Sequence, residues 1–285
     1  MILTINTDAI AGAGADDTIC SGSTYLLSGT MGNGATLVTW TTGGTGTFDN
    51  ATLLAATYTP SAADITAGFV DMVITTDDPD GAGPCFPAAD SMILSINPIA
   101  VVSANVDDTI CAGSNYLLSG TMGGGTSSIL WTTGGSGTFD DNTQLTATYT
   151  PSSADSLAGT VTLTITTDDP DGLGPCFPTL DSMILTLNPV PVVSAGNDTA
   201  ICEVSSYTLA GVIGGSAVSV SWISTGTGTF DNNTLITPTY TPSAADISAG
   251  SVKLGITSND PIGPCVAVSD TMTLTIDPAA IAFAN

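Results

Sequence analysis

Three kinds of residue in this chain could do chemistry: six cysteines, many aspartates, and hydroxyl residues that directly follow an aspartate. The cysteines fall at 20, 111 and 202 and again at 85, 176 and 265, so one of each kind recurs about every 91 residues. The aspartates bunch in Asp77-Asp78-Pro79-Asp80-Gly81 and in Asp168-Asp169-Pro170-Asp171-Gly172, three carboxylates within four residues. A hard cation such as Ca²⁺ takes about six to eight oxygens, and a tight carboxylate-rich turn supplies several. Asp77, Asp78, Asp80, Asp168, Asp169 and Asp171 are therefore candidate calcium ligands. The loop lacks the spacing and closing Glu of an EF-hand, and Asp-Pro and Asp-Gly also form plain solvated turns, so both readings stand. In the third copy Asn259 and Ile262 replace two of the carboxylates and the loop is shorter, which predicts weaker calcium binding there. The hydroxyl residues after an aspartate are Thr18, Ser91, Thr109, Ser156, Ser182, Thr199 and Thr271.

Catalysis is poorly served by this set. The chain holds no His, its single base is Lys253, and 26 acids give it a net charge of −25. An enzyme needs a nucleophile beside a base, or a poised acid pair. Paired aspartates could serve glycoside hydrolysis, but the same pairs recur along the chain, and triplicate copies of one active site do not suit an enzyme. A strongly anionic surface repels phosphate backbones, which excludes nucleic acid as a partner. No apolar run approaches the roughly 18–20 residues that span a bilayer, so direct membrane insertion is not expected.

The elements that must position these residues repeat with them. Trp40, Trp131 and Trp222 are spaced by 91 residues. Apolar residues alternate with Thr and Ser, as Val161, Leu163 and Ile165 do with Thr160, Thr162 and Thr164, and as Met272, Leu274 and Ile276 do with Thr271, Thr273 and Thr275. Val218, Val220 and Trp222 read as another inward face. Period two with one apolar face predicts antiparallel sheets packed as a sandwich. About seven such strands per unit, with Cys, Trp and Cys in that order, fit an immunoglobulin-like domain; a β-helix or propeller is the competing architecture. The expected fold is all-β, tandem immunoglobulin-like sandwiches forming a rod. The expected units are 7–97, 98–188 and 189–277, with 1–6 as the last strand of a preceding repeat and 278–285 as the first strand of a following one. Asn97-Pro98 and Asn188-Pro189 join the units with no Gly/Ser tract, and proline stiffens such a joint.

Asp108-Thr109-Ile110-Cys111-Ala112-Gly113-Ser114 with Leu118-Ser119-Gly120, then Thr239-Tyr240-Thr241-Pro242-Ser243-Ala244-Ala245-Asp246-Ile247 with Ala249-Gly250, and finally Gly174-Pro175-Cys176, resemble PKD/Ig-like repeats of very large cell-surface proteins of Bacteroidota. That family includes the gliding-motility adhesin of flavobacteria. The resemblance implies type IX secretion, an extracellular surface location and a stalk or adhesin role. In that exported setting, an even count with one pair per unit predicts pairing within repeats: Cys20 with Cys85, Cys111 with Cys176, Cys202 with Cys265. The Asp-Ser/Thr pattern looks like the O-glycosylation sequon of secreted proteins of that phylum, which would make Thr18, Ser91, Thr109, Ser156, Ser182, Thr199 and Thr271 acceptors. The alternative is that the aspartates only cap turns before strands. The function expected is a structural spacer whose partners are neighbouring repeats of the same chain. The competing functions are direct binding of surface polysaccharide or other cells, and a fibre subunit that polymerises by strand exchange.

Overall fold

The computed structural model of the chain describes residues 7–81 and 83–278. The first repeat contains β1 (Ile10–Gly12), β2 (Asp17–Cys20), β3 (Tyr25–Leu26), β4 (Thr30–Gly32), β5 (Val38–Thr42), β6 (Thr47–Phe48), β7 (Thr57–Thr59), α1 (Ala62–Ala67), β8 (Phe69–Thr76) and β9 (Ala89–Asn97). The same order recurs from β10 (Ala100–Ser103) to β18 (Leu180–Asn188) around α2 (Ser153–Ala158), and from β19 (Val192–Ser194) to β27 (Ser269–Asp277) around α3 (Ala244–Ala249). The fold is thus all-β, tandem sandwiches, with one short helix per repeat that the alternating pattern did not announce. The strand foreseen over 1–6, and all of 278–285 except Pro278, lie outside the described residues.

Alternation builds each core. Successive strand side chains point to opposite faces, so β8 buries Val70, Met72 and Ile74 and leaves Phe69 and Asp71 in solvent. Each repeat has a four-stranded sheet, in the first β2-β9-β8-β5, a three-stranded sheet, β3-β7-β6, and the pair β1-β4. Between the sheets lie Trp40, Tyr58, Met72, Leu94 and Ile96, and separate clusters form around Trp131 with Tyr149 and Trp222 with Tyr240. The indole N–H of Trp40 donates to the Leu53 carbonyl at 3.1 Å, and that of Trp131 to Gln144 at 3.1 Å. The buried N–H of Trp222 finds no partner, which costs the third core on the order of 1–3 kcal/mol.

Two expectations need correction. Val218 is exposed, because the strand begins only at Val220. The sheets are not wholly antiparallel either: β2 runs parallel to β9, with Cys20 opposite Asn97.

The short helix is held by one buried carboxylate. Ser61 caps α1, accepting from the Asp64 N–H at 3.2 Å, while Asp64 Oδ2 accepts from the Ser61 N–H at 2.9 Å, the reciprocal bonds of a capping box. Asp64 is only 3% exposed. It also accepts from the Tyr58 hydroxyl at 2.8 Å and the Thr45 N–H at 2.9 Å. Burial acts to raise its pKa, but the bonds from Ser61, Thr45 and Tyr58 outweigh that and bring it down to about 2. Asp155 and Asp246 repeat the arrangement and are also lowered to about 2. The approach is so close that a Cβ on Gly135 would collide with Asp155 Oδ1. Asp155→Ala strands these donors, and is expected to destabilise the chain by roughly 3 kcal/mol in denaturant unfolding. A loss under about 0.5 kcal/mol, the range of an ordinary surface change, would show that the latch is not structural.

Candidate functional site: the junction between repeats

The parallel β2–β9 pairing decides where the cysteines go. Cys20, the last residue of β2, sits beside Asn97 at the foot of its repeat. Cys85 lies in the loop before β9, at the head of the same repeat. The nine residues of β9 separate the two, roughly 25 Å at about 3.3 Å per residue. A disulfide needs Cα atoms within about 7 Å, so the pairing expected within repeats cannot form.

The bonds cross from one repeat into the next instead. Cys20 bonds to Cys176, with Cα atoms 5.4 Å apart, and Cys111 bonds to Cys265, with Cα atoms 5.0 Å apart. Cys111 stands at the foot of the second repeat, opposite Asn188, as Cys20 does opposite Asn97. The rule is that the foot cysteine of one repeat joins the head cysteine of its successor. Cys85 (buried) and Cys202 (exposed) are the free thiols among the described residues. Burial, reinforced by Asp80, pushes the Cys85 thiol up.

Polar contacts surround the first junction. Asn97 Nδ2 donates to Asp171 Oδ2 at 3.1 Å, and the Cys176 N–H donates to the same oxygen at 3.1 Å. Burial acts to raise the Asp171 pKa, but these two donors outweigh it, so the group is lowered overall. The Ile99 N–H donates to Ser21 Oγ at 3.1 Å, and the Ser21 N–H to the Asn97 carbonyl at 2.8 Å. The second junction has Ile262, fully exposed, in the shortened loop, and it shares with the first the disulfide and the backbone bond after the foot cysteine, here from the Ala112 N–H to the Asn188 carbonyl at 2.8 Å.

The aspartates named as calcium ligands are spread over separate tasks. Asp77 accepts from the Thr36 and Leu37 N–H groups at 2.8 and 2.9 Å. Asp78 accepts from the Asp80 and Gly81 N–H groups, both at 3.2 Å, closing the turn. Asp80 accepts from the Cys85 N–H at 3.3 Å. Asp168, Asp169 and Asp171 repeat these roles toward Ser127 and Ser128, Gly172, and Cys176. Among the described residues the one trio of metal-ligating types drawn together is Cys20, Asp171 and Cys176, and its two sulfurs are already bonded to each other. The carboxylates therefore serve the backbone and do not converge on one point.

The candidate acceptors of sugar divide into three groups. Ser91, Ser182 and Thr271 are exposed on β9, β18 and β27. Thr18, Thr109 and Thr199 are half-buried. Ser156 sits in α2 and donates to the Ser152 carbonyl at 3.1 Å. The preceding aspartates have structural roles: Asp90, Asp181 and Asp270 accept from the Ala13, Ala104 and Ala195 N–H groups at 2.8–2.9 Å.

Comparison with known proteins gives a fold and no family. No family model matches the chain, and no curated protein does. Among solved structures, the I-band fragment I67–I69 of titin is similar at a TM-score of 0.50 and 12% identity, over 97% of this chain and 100% of that one. Mouse Cadherin-23 EC22-24 is similar at 0.41 and 12%, over 96% and 100%. Drosophila N-cadherin EC1-4 is similar at 0.41 and 12%, over 95% and 76%. At such identity the likeness to titin speaks for tandem β-sandwiches alone. No helix among the described residues is long and apolar enough to cross a membrane.

Proposed function

We propose that the chain is a stretch of extracellular stalk, a non-catalytic spacer whose sandwiches are stapled foot to head into a rod. The observation that carries this reading is the pair of disulfides, each crossing from one repeat into the next. Stable disulfides belong to oxidising compartments. A bond across a junction only one proline removed from the last strand restricts bending that a single peptide joint would allow. The motifs quoted above favour a large cell-surface adhesin of the Bacteroidota type, exported by type IX secretion and serving attachment or gliding. Direct sugar binding is disfavoured because the rings best suited to stack on a sugar, Trp40, Trp131 and Trp222, are all buried. O-glycans fit this reading at exposed Ser91, Ser182 and Thr271, where they would hydrate a surface that carries few cations. Calcium is not part of the proposal, since no set of described carboxylates converges.

Small-angle scattering tests the rod. Three sandwiches of about 35 Å each, end to end, give a radius of gyration of roughly 30 Å. A globule of 285 residues would give about 19 Å. The oxidised chain is expected near the larger value, and a mild reductant is expected to broaden its distance distribution. A radius at the globular value overturns the proposal.

A further inference from the structure

Two internal junctions obey one rule, and the two free thiols are the two halves that the rule leaves over. Cys202 ends β20 (Thr199–Cys202), which runs parallel to β27 with Cys202 opposite Asp277. That is the foot position held by Cys20 and Cys111. Cys85 follows Gly83 and Pro84 in the head loop, as Cys176 follows Gly174 and Pro175 and as Cys265 follows Gly263 and Pro264. Its N–H donates to Asp80 as the Cys176 N–H does to Asp171, so the head loop of the first repeat already has the form that receives a foot cysteine. We infer that Cys202 and Cys85 are complementary half-sites, the foot and the head of one further junction of the kind that Cys20–Cys176 and Cys111–Cys265 make, so that two copies of this chain brought together join head to foot through a Cys202–Cys85 disulfide. This rests on the stalk reading and extends it: a contact of unlike surfaces leaves a head and a foot free at each step and builds a filament wherever its rotation does not close a ring.

The chemistry needs a small disulfide as oxidant, here oxidised glutathione. The exposed Cys202 thiolate attacks one of its sulfurs, a mixed disulfide forms, and one glutathione thiolate leaves. The Cys85 thiolate of the second copy then attacks the Cys202 sulfur and displaces the other glutathione. The two protons lost by the cysteines end on the two glutathione thiols, so two protein thiols are oxidised and one glutathione disulfide is reduced. This junction differs from the first internal one in its polar groups: Glu203 stands after the foot cysteine where Ser21, whose Oγ accepts from the Ile99 N–H, stands in the first. Asp277 occupies the position of Asn97, opposite the foot cysteine, and Asp80 occupies that of Asp171. An amide–carboxylate bond is thus exchanged for two carboxylates, which makes this joint slower to close than the internal ones.

Incubation of the full chain in a glutathione redox buffer, followed by non-reducing electrophoresis, is the test. A ladder of dimers, trimers and longer species is expected. Cys85→Ser alone and Cys202→Ser alone are each expected to abolish it, while an equal mixture of the two variants gives dimer and nothing longer. Peptide mapping of that dimer is expected to show Cys202 linked to Cys85. Asp277→Asn is expected to raise the ladder yield several-fold at neutral pH. Dimer from Cys85→Ser alone means symmetric Cys202 pairing, and monomer throughout means no junction; either overturns the inference. Scattering from the Cys85→Ser/Cys202→Ser chain reads the rod independently, so the stalk reading can survive this failure.

Discussion

Pulled from its two ends in an oxidising buffer, the Cys85→Ser/Cys202→Ser chain is expected to stop extending at roughly 370 Å, the reach of the shortest covalent path at full extension. That path runs through the staples and not along the whole backbone. It takes about 20 residues to Cys20, crosses to Cys176, returns about 65 residues to Cys111, crosses to Cys265, and leaves over about 20 more. About 105 residues at roughly 3.5 Å each set the limit. The reduced chain, with all 285 residues in the path, should reach about 1,000 Å. Pairing within repeats gives a different number. With Cys85 and Cys202 absent it leaves only Cys111–Cys176, a path of about 220 residues that extends to roughly 770 Å. Single-molecule force spectroscopy separates the three lengths. A plateau at the last of them would refute the crossed pairing.

Acid is expected to unfold the repeats between about pH 4 and pH 2. Asp64, Asp155 and Asp246 have carboxyls held at about 2 in the folded chain, against about 3.9 in an unfolded one. A carboxyl whose pKa is depressed by folding contributes its full stability above the unfolded value and loses it as pH falls through the folded one. The loss is on the order of 2 kcal/mol per repeat. An opposing effect comes from the net charge of −25: protonating surface aspartates relieves self-repulsion, which favours the compact form. Stability should therefore peak near pH 4–5 and then fall. Thermal unfolding of the Asp64→Asn/Asp155→Asn/Asp246→Asn chain should start from a lower Tm at pH 5 and show a smaller drop below pH 4, the remainder coming from other lowered carboxylates such as Asp77 and Asp171. An unchanged drop in that variant would assign acid sensitivity to other carboxylates.

The repeat and the sandwich were legible because they depend on periodicities. Trp40, Trp131 and Trp222 carried the 91-residue period, and Val161, Leu163 and Ile165 carried the alternation that β17 (Thr160–Thr167) displays. Alternation tells which side of a strand faces the core, but not which strand lies beside it. The parallel partnership of β2 with β9 was invisible for that reason, and with it the fact that Cys20 and Cys85 stand at opposite ends. The latch could have been found: Ser61 three residues before Asp64, with Gly68 beyond, is a start-and-stop signal for a helix, repeated at Ser152 and Ser243. The aspartate clusters stayed open to two readings because spacing along a turn does not tell whether carboxylates converge in space. Backbone N–H groups waiting to be capped drew Asp77, Asp78 and Asp80 in different directions.

Foot-to-head pairing also fixes an order of assembly as the chain is delivered N-terminus first. Cys20 is made 156 residues before its partner Cys176, a wait of roughly 8 to 30 seconds at about 5–20 residues per second. Two other cysteines, Cys85 and Cys111, arrive during that interval. Cys85 is kept out of reach by the length of β9 once the first repeat has folded, and Cys111 stands at the far foot of the second repeat. Cys176 is brought alongside only when the loop before β18 has been laid down on a finished second repeat. Each bond therefore closes one unit behind the growing end, and its closure certifies that the following unit has folded.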